Sequence, residues 1–266
     1  MSLVERIAVE APLFLLVFTR IFVLASVAPL LGSTTIPGIA RVALTFFAAI
    51  FVFPMVAEAG YPIPRNALAY GLVMLGEGMI GITIGFILVV LFSVFQTAGQ
   101  FFSLQIGFGA SEVFDPLADV SIPLTGQFFN LMAMMIFVVI EGFQKIFLSG
   151  VYYSFRTLRA VDFVIYRNDM VSLVLSTLSG LFTQAMILAL PILGTLFLAS
   201  VTMGLLAKAA PQMNLLMLGF SLNIGVAYLI MFVSLPFVLE GFAAVIDGSF
   251  ERLGILFNYI EEARGE

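Results

Sequence analysis

Residues Gln100–Gln127 read QFFSLQIGFGASEVFDPLADVSIPLTGQ and stand between two long apolar segments. The stretch is too polar and too interrupted to be a bilayer span. It is also richer in Phe, Ile and Leu than an ordinary solvent loop. Gly107 and Gly109 flank Phe108, which opens backbone conformations closed to other residues. Asp115-Pro116 is a turn signal, because the residue before proline is pushed out of the helical region. Two readings stand at this point. One is a surface loop joining two membrane helices. The other is a segment folded back into the protein to line or close a path, since irregular backbone at membrane depth survives only inside protein or beside water. Glu112, Asp115 and Asp119 are too sparse for a calcium loop and read as solvating one face of the stretch.

The segment entering this stretch, roughly Leu68 to Gln100, is the longest apolar run. As one helix it would reach on the order of 45–50 Å, well beyond a ~30 Å hydrocarbon core. A break near its glycines, or a helix that leaves the bilayer, accounts for the excess. Gly71, Gly78 and Gly85 recur every seven residues with Gly81 between them, so one face is nearly bare backbone and suited to close helix packing. Gly76-Glu77-Gly78-Met79-Ile80-Gly81 spells GxGxxG, but a dinucleotide site needs a strand before it and a helix opening at it. Inside an apolar helical run it reads as a packing face.

Composition agrees with a membrane protein. Of 266 residues, 62% are hydrophobic and 10% charged, so the chain is an integral membrane protein or the core of a membrane complex. Cys and His are absent, which removes thiol nucleophiles, disulfides, zinc sites and imidazole chemistry. No catalytic, cofactor or metal site is expected. Met132, Met134, Met135, Met213 and Met217 read as flexible packing rather than metal ligands. Phe 29 against Trp 0 and Tyr 7 departs from the usual interfacial belts and assigns the aromatic excess to packing between helices or subunits. A net charge of −5, spread along the chain, argues against nucleic acid.

Six segments follow from the hydropathy: Pro12–Leu31, Ile39–Ala57, Leu68–Gln100, Phe128–Ser149, Val171–Leu206 with a kink expected at Pro191, and one turning at Lys208–Asn214 and ending near Asp247. Val151–Met170 reads as wet and amphipathic. Phe250, Leu253, Phe257 and Ile260 predict a short amphipathic tail helix over 249–266. Glu5, Glu10 and Arg20 argue against a cleaved leader. On a six-span count the arginine bias places both termini in the cytoplasm. Arg20, Glu77, Glu141, Lys145 and Glu240 fall inside apolar runs, where a charge implies function or pairing. Glu141 and Lys145 have the spacing and order of an i,i+4 helical pair, and Arg20 and Glu77 are candidates to pair across helices.

The combination resembles a known family. The carriers are the first span with Arg20, Pro29, Pro37 and Arg41; GEGMIGITIGF at Gly76–Phe86; QIGFG at Gln105–Gly109; Phe114-Asp115-Pro116; and GLLAKAAPQMNLLMLGF at Gly204–Phe220. Together they resemble the R subunit of the flagellar and type III secretion export gate (the FliR/SctT family). The resemblance implies an all-α, membrane-associated fold of about six long, Gly/Pro-interrupted helices. It also implies a P-like half over 1–170 followed by a Q-like hairpin over 171–248, assembled with P and Q subunits into a helical channel. It further implies the flagellar B and A export subunits as neighbours, unfolded exported proteins as substrates, contact with membrane lipid, and the bacterial inner membrane at the flagellar basal body as location. By the same resemblance, residues 105–127 form a plug. Ile106, Phe108, Val113 and Phe114 would fill the bore, Gly107 and Gly109 would act as hinges, and Asp115-Pro116 would form the turn. The rival from another class is a small-molecule or ion secondary transporter built on broken helices and buried charges.

Overall fold

The computed structural model describes residues 6–7, 9–33, 36–106, 124–209 and 215–264. Among them the chain is helical throughout its ordered elements, with no strand. Helix α1 spans Ala11–Val27 and begins at a proline in its first turn, where the missing N–H costs nothing. It stops at Ala28, whose ψ of 129° is the extended conformation forced on a residue preceding proline, here Pro29. Helix α2 spans Gly38–Glu58 and ends at Ala59, followed by Gly60 at φ 67°, a left-handed position that glycine takes without a Cβ clash. The two helices fold back on each other through edge-on ring contacts of Phe14 with Phe46 and Phe53. Arg41 on α2 pins the intervening turn by donating to the Leu31 and Ser33 carbonyls at 2.8 and 3.1 Å.

Helix α3 spans Ala67–Ile106, 40 residues, with the Asn66 side chain accepting from the Leu68 N–H at its start. Of the two readings of its length, a break at its glycines or a helix that leaves the bilayer, the break is not there. Glycine lowers helix propensity, but a backbone out of water has no better partner than its own i−4 carbonyl, so the helix runs on to about 60 Å. Helix α4 spans Leu124–Val139. The fourth apolar segment, expected as one span, is broken there: Glu141 takes a left-handed φ of 61°, and the following run is bent by 74°. That run comprises α5 (Gly142–Lys145), a π-helix (Ile146–Tyr153) and α6 (Ser154–Thr157). Two extended residues, Leu158 and Arg159, separate α6 from α7 (Ala160–Ile165). The 151–170 region is amphipathic, as expected, but not wet throughout: Val151, Phe155, Leu158, Ala160 and Met170 are buried, while Arg156, Arg167 and Asn168 are exposed.

Helices α8 (Arg167–Ala209) and α9 (Leu215–Arg264) contain 43 and 50 residues and pass through Pro191 and Pro236 without ending. The tail is not a separate helix but the last turns of α9. Its Phe250, Leu253, Phe257 and Ile260 are buried and extend a stripe begun by Val238, Phe242 and Ile246. Among the described residues, four helices (α2, α3, α8, α9) are long and apolar enough to cross a membrane. The bent α4–α6 run makes five, and the apolar 17-residue α1 stands beside them.

The chain divides into two compact units that are not successive stretches of sequence. One contains residues 1–90, 141–178 and 248–266; the other contains 91–140 and 179–247. In the first, α1 crosses α3 at glycine. A Cβ on Gly81 would lie 2.6 Å from the Arg20 carbonyl, and one on Gly85 would lie 2.8 Å from the Val27 Cβ. In the second, α3 and α4 run antiparallel, with Phe102 stacked on Phe129, and Phe92 against Phe137 nearer the other end. Phe242 of α9 closes on Phe95 and Phe129.

Candidate functional site

A polar cluster lies in the first unit, in the middle of an otherwise apolar core. Arg20 on α1 and Glu77 on α3 are 1% and 0% exposed, with Nε 2.6 Å from Oε2. The remaining guanidinium edge donates to Ser154 Oγ at 3.2 Å and to the Leu158 carbonyl at 2.8 Å. Its plane lies 3.9 Å from the Phe155 ring centroid, a cation–π placement. The second carboxylate oxygen of Glu77 accepts from the Tyr61 hydroxyl. That hydroxyl in turn accepts from the Ala160 N–H at 3.2 Å.

Local geometry explains why these partners are free to pair. Leu158 is the extended residue closing α6, so its carbonyl has left the helical ladder. Ala160 opens α7, so its N–H has no intrahelical acceptor. Both orphaned backbone groups are satisfied by the buried side chains. Gly76 permits the approach, since a Cβ there would lie 2.7 Å from that of Ala160. Burial first, and then the Glu77 carboxylate, hold the Tyr61 hydroxyl well above its ordinary ionisation range. Each guanidinium nitrogen and each carboxylate oxygen thus has a partner, in a charge network that ties α1, α3, the 61–64 linker and the α6–α7 turn together.

Burial holds for Arg20 and Glu77 among the charges in apolar runs. Glu141 and Glu240 are exposed and Lys145 is half-buried. Glu141 is the residue that opens α5, with a left-handed backbone, and its carbonyl accepts from the Lys145 N–H at 3.1 Å, so the two residues bracket a single helical turn at the break. On the glycine face, Gly81 and Gly85 meet α1 and Gly78 lies within reach of Val23 and Thr19, while a Cβ at Gly71 would meet nothing within 4 Å.

Of the central stretch, Ile106 is placed on the last turn of α3 and is 1% exposed. Gly107, Phe108, Gly109, Val113, Phe114, Asp115 and Pro116 lie outside the described residues. The two ends that deliver the stretch are close. A Cβ on Gly99 would lie 2.5 Å from the Gly126 Cα, and Thr125 Oγ1 donates to the Gly99 carbonyl at 2.9 Å. The sequence reading missed this Gly99–Gly126 crossing, and it missed Tyr61, Ser154 and Phe155 as partners of the ion pair. The glycines on either side of the central stretch were an available signal. Tyr61 and Ser154 carried none, being joined to Arg20 only through the fold.

Long apolar helices around a self-satisfied ion pair define an all-helical, multi-pass membrane protein whose buried charges have structural partners. Similarity gives the family. The chain matches the bacterial export proteins, family 1, over residues 11–249, and it belongs to that family. It is 29% identical to the flagellar biosynthetic protein FliR of Bacillus subtilis, over 85% of this chain and 87% of that protein. It is also 29% identical to FliR of Borreliella burgdorferi, over 89% and 87% of the two chains. Over 60% of its length it is 30% identical to the surface presentation of antigens protein SpaR of Shigella sonnei, covering 61% of that protein.

Proposed function

We propose that the chain is a channel-forming subunit of a flagellar, type III protein export gate in the bacterial inner membrane. It would assemble with P and Q subunits, next to the flagellar B and A export subunits, and conduct unfolded proteins rather than catalyse a reaction. The observation that carries this reading is the family match over residues 11–249. The flagellar assignment is favoured over a virulence system because FliR relatives align over most of the chain, whereas SpaR aligns over 60% of it. Within this reading, residues 1–170 form the P-like half and residues 171–248, within the α8–α9 pair, form the Q-like hairpin.

In the closed channel the stretch between α3 and α4 acts as the plug. Ile106 is its anchor on α3, Phe108, Val113 and Phe114 are its apolar filling, and Gly107 and Gly109 are its hinges. Support comes from the antiparallel α3–α4 pair, whose crossing at Gly99 and Gly126 brings both ends of the stretch to one end of the unit. Opening is a population shift between two packings, so its trigger must bind or pull on one of them preferentially. A transporter would need charges free to meet a substrate, and Arg20 and Glu77 already have partners within the chain.

The test removes Gly107–Asp115 and measures ion leak across membranes holding the assembled gate. We expect raised conductance with the assembly intact; unchanged conductance in an intact assembly refutes the plug. Native mass spectrometry of the tagged chain from its own host tests the broader reading. A large complex with several copies of two smaller membrane proteins is expected, and a stable monomer or symmetric dimer would overturn it.

A further inference from the structure

An apolar groove of about 590 Å³ opens in the first unit between α1, α2 and the α5–π-helix run, with Ile21, Leu24, Leu44, Ala48, Phe51 and Phe147 among its walls. The polar side chain in its lining, Thr45, is spent on its own helix, donating to the Arg41 and Val42 carbonyls. The groove floor therefore offers nothing to a polar ligand and suits saturated hydrocarbon. Leu44 and Phe51 are 54% and 78% exposed, so the groove is open along the face of α2, a helix apolar enough to span a membrane.

One end of the groove is different. Leu31 lines it, and the Leu31 carbonyl holds the half-buried Arg41 guanidinium through Nε. Arg41 also donates through Nη2 to the Ser33 carbonyl. Both partners are neutral carbonyls, and the Nη1 group has no hydrogen-bond partner among the described residues. A guanidinium carries five N–H donors in a planar fork matched to phosphate, so a fixed cation with no counter-charge among the described residues stands beside Leu31, where the hydrocarbon groove ends.

We propose that this groove and Arg41 form a binding site for one anionic phospholipid, with an acyl chain along α2 and the phosphate on the Arg41 guanidinium. The charge at the end of an apolar slot selects this occupant over a zwitterionic lipid, whose own cation offsets its phosphate. It also selects it over an apolar helix of another subunit, which would leave the guanidinium unpaired. The site is independent of what the protein exports.

The test is native mass spectrometry of the full chain in mild detergent, titrated with phosphatidylglycerol and with phosphatidylcholine of the same acyl chains. We expect a phosphatidylglycerol adduct retained at least several-fold better than phosphatidylcholine. Arg41→Gln should abolish the preference, and Arg41→Lys should keep part of it. Ala48→Phe, which fills the groove and leaves Arg41 in place, should lose both lipids. Equal retention of the two lipids by the unaltered chain overturns the proposal without relying on any variant. A preference that survives Arg41→Gln overturns it as well. So does a purified complex that keeps no lipid because another chain lies in the groove.

Discussion

Arg20 and Glu77 show what a single pair can and cannot do for stability. Burying two charges is expensive, and their attraction offsets that cost only when every remaining donor and acceptor is met. Here Ser154, Leu158 and Tyr61 give each guanidinium nitrogen and each carboxylate oxygen outside the pair a partner, and Phe155 covers the guanidinium face. Glu77→Ala leaves the guanidinium buried without its counter-charge and should cost about 3–5 kcal/mol in denaturant unfolding in detergent. Replacing both residues with apolar ones of similar volume should recover much of that loss. Single and double effects that simply add would show that the two residues do not interact. Tyr61 supplies a pH signature. Its folded ionisation is raised above the ordinary 10.0, so its contribution is fully present below that value and is lost as pH rises beyond it, where the unfolded chain ionises first. Tyr61→Phe should remove this part of the alkaline decline, and the difference between the two melting curves against pH measures it. Identical alkaline slopes would mean the hydroxyl is not held by the cluster.

Among the elements, glycine position separates packing from mere tolerance. A Cβ at Gly81 would meet main-chain oxygen of α1, which cannot move aside. Gly81→Leu should therefore separate α1 from α3 at a cost of about 1–3 kcal/mol or more. Gly71 faces open space, so Gly71→Ala should be neutral or stabilising by up to about 1 kcal/mol from helix propensity alone. Comparable losses at both positions would contradict the crossing described. The bend after α4 makes the converse case. Glu141 sits in the left-handed region, where a side chain costs roughly 1–2 kcal/mol. Glu141→Gly should raise the melting temperature, and Glu141→Val should lower it. A gain from valine would mean that the fourth segment is straight.

For the whole molecule, the distribution of apolar exposure is the informative quantity. Phe182, Leu190 and Phe197 on α8, and Leu229, Phe232 and Val233 on α9, are each more than half exposed. In water these helices would aggregate, so lipid or other subunits must cover them. The chain has no cysteine, so single cysteines report cleanly. In native membranes, cysteines replacing Leu190 and Phe232 should resist a water-soluble maleimide, whereas one replacing Glu58 at the end of α2 should react. Rapid labelling at all three would mean that the two long helices stand in water.

Hydropathy is a local property, and it determined the membrane class and the approximate placement of six apolar segments, while the all-α fold followed from the family resemblance. The spacing of Phe250, Leu253, Phe257 and Ile260 likewise identified a buried helical face before any fold was known. Arg20 and Glu77 stood out because a charge inside an apolar run has few tolerable fates. Where these signals failed, the deciding interaction was not local. The continuity of α3 through its glycines depends on the absence of competing water. The break at Glu141 leads into a π-helical run placed against distant elements, where a Cβ on Gly150 would lie 3.3 Å from the Ile84 side chain and 3.6 Å from that of Leu24. Ser154 and Leu158 join Arg20 across 134 and 138 residues of chain, Tyr61 joins Glu77 and the Ala160 N–H across 16 and 99, and Gly99 meets Gly126 only because α3 and α4 fold back on one another. Sequence fixes which groups must find partners, because burial makes an unpaired group costly. Only the tertiary structure decides which partners they find, because that choice rests on distances no linear pattern encodes.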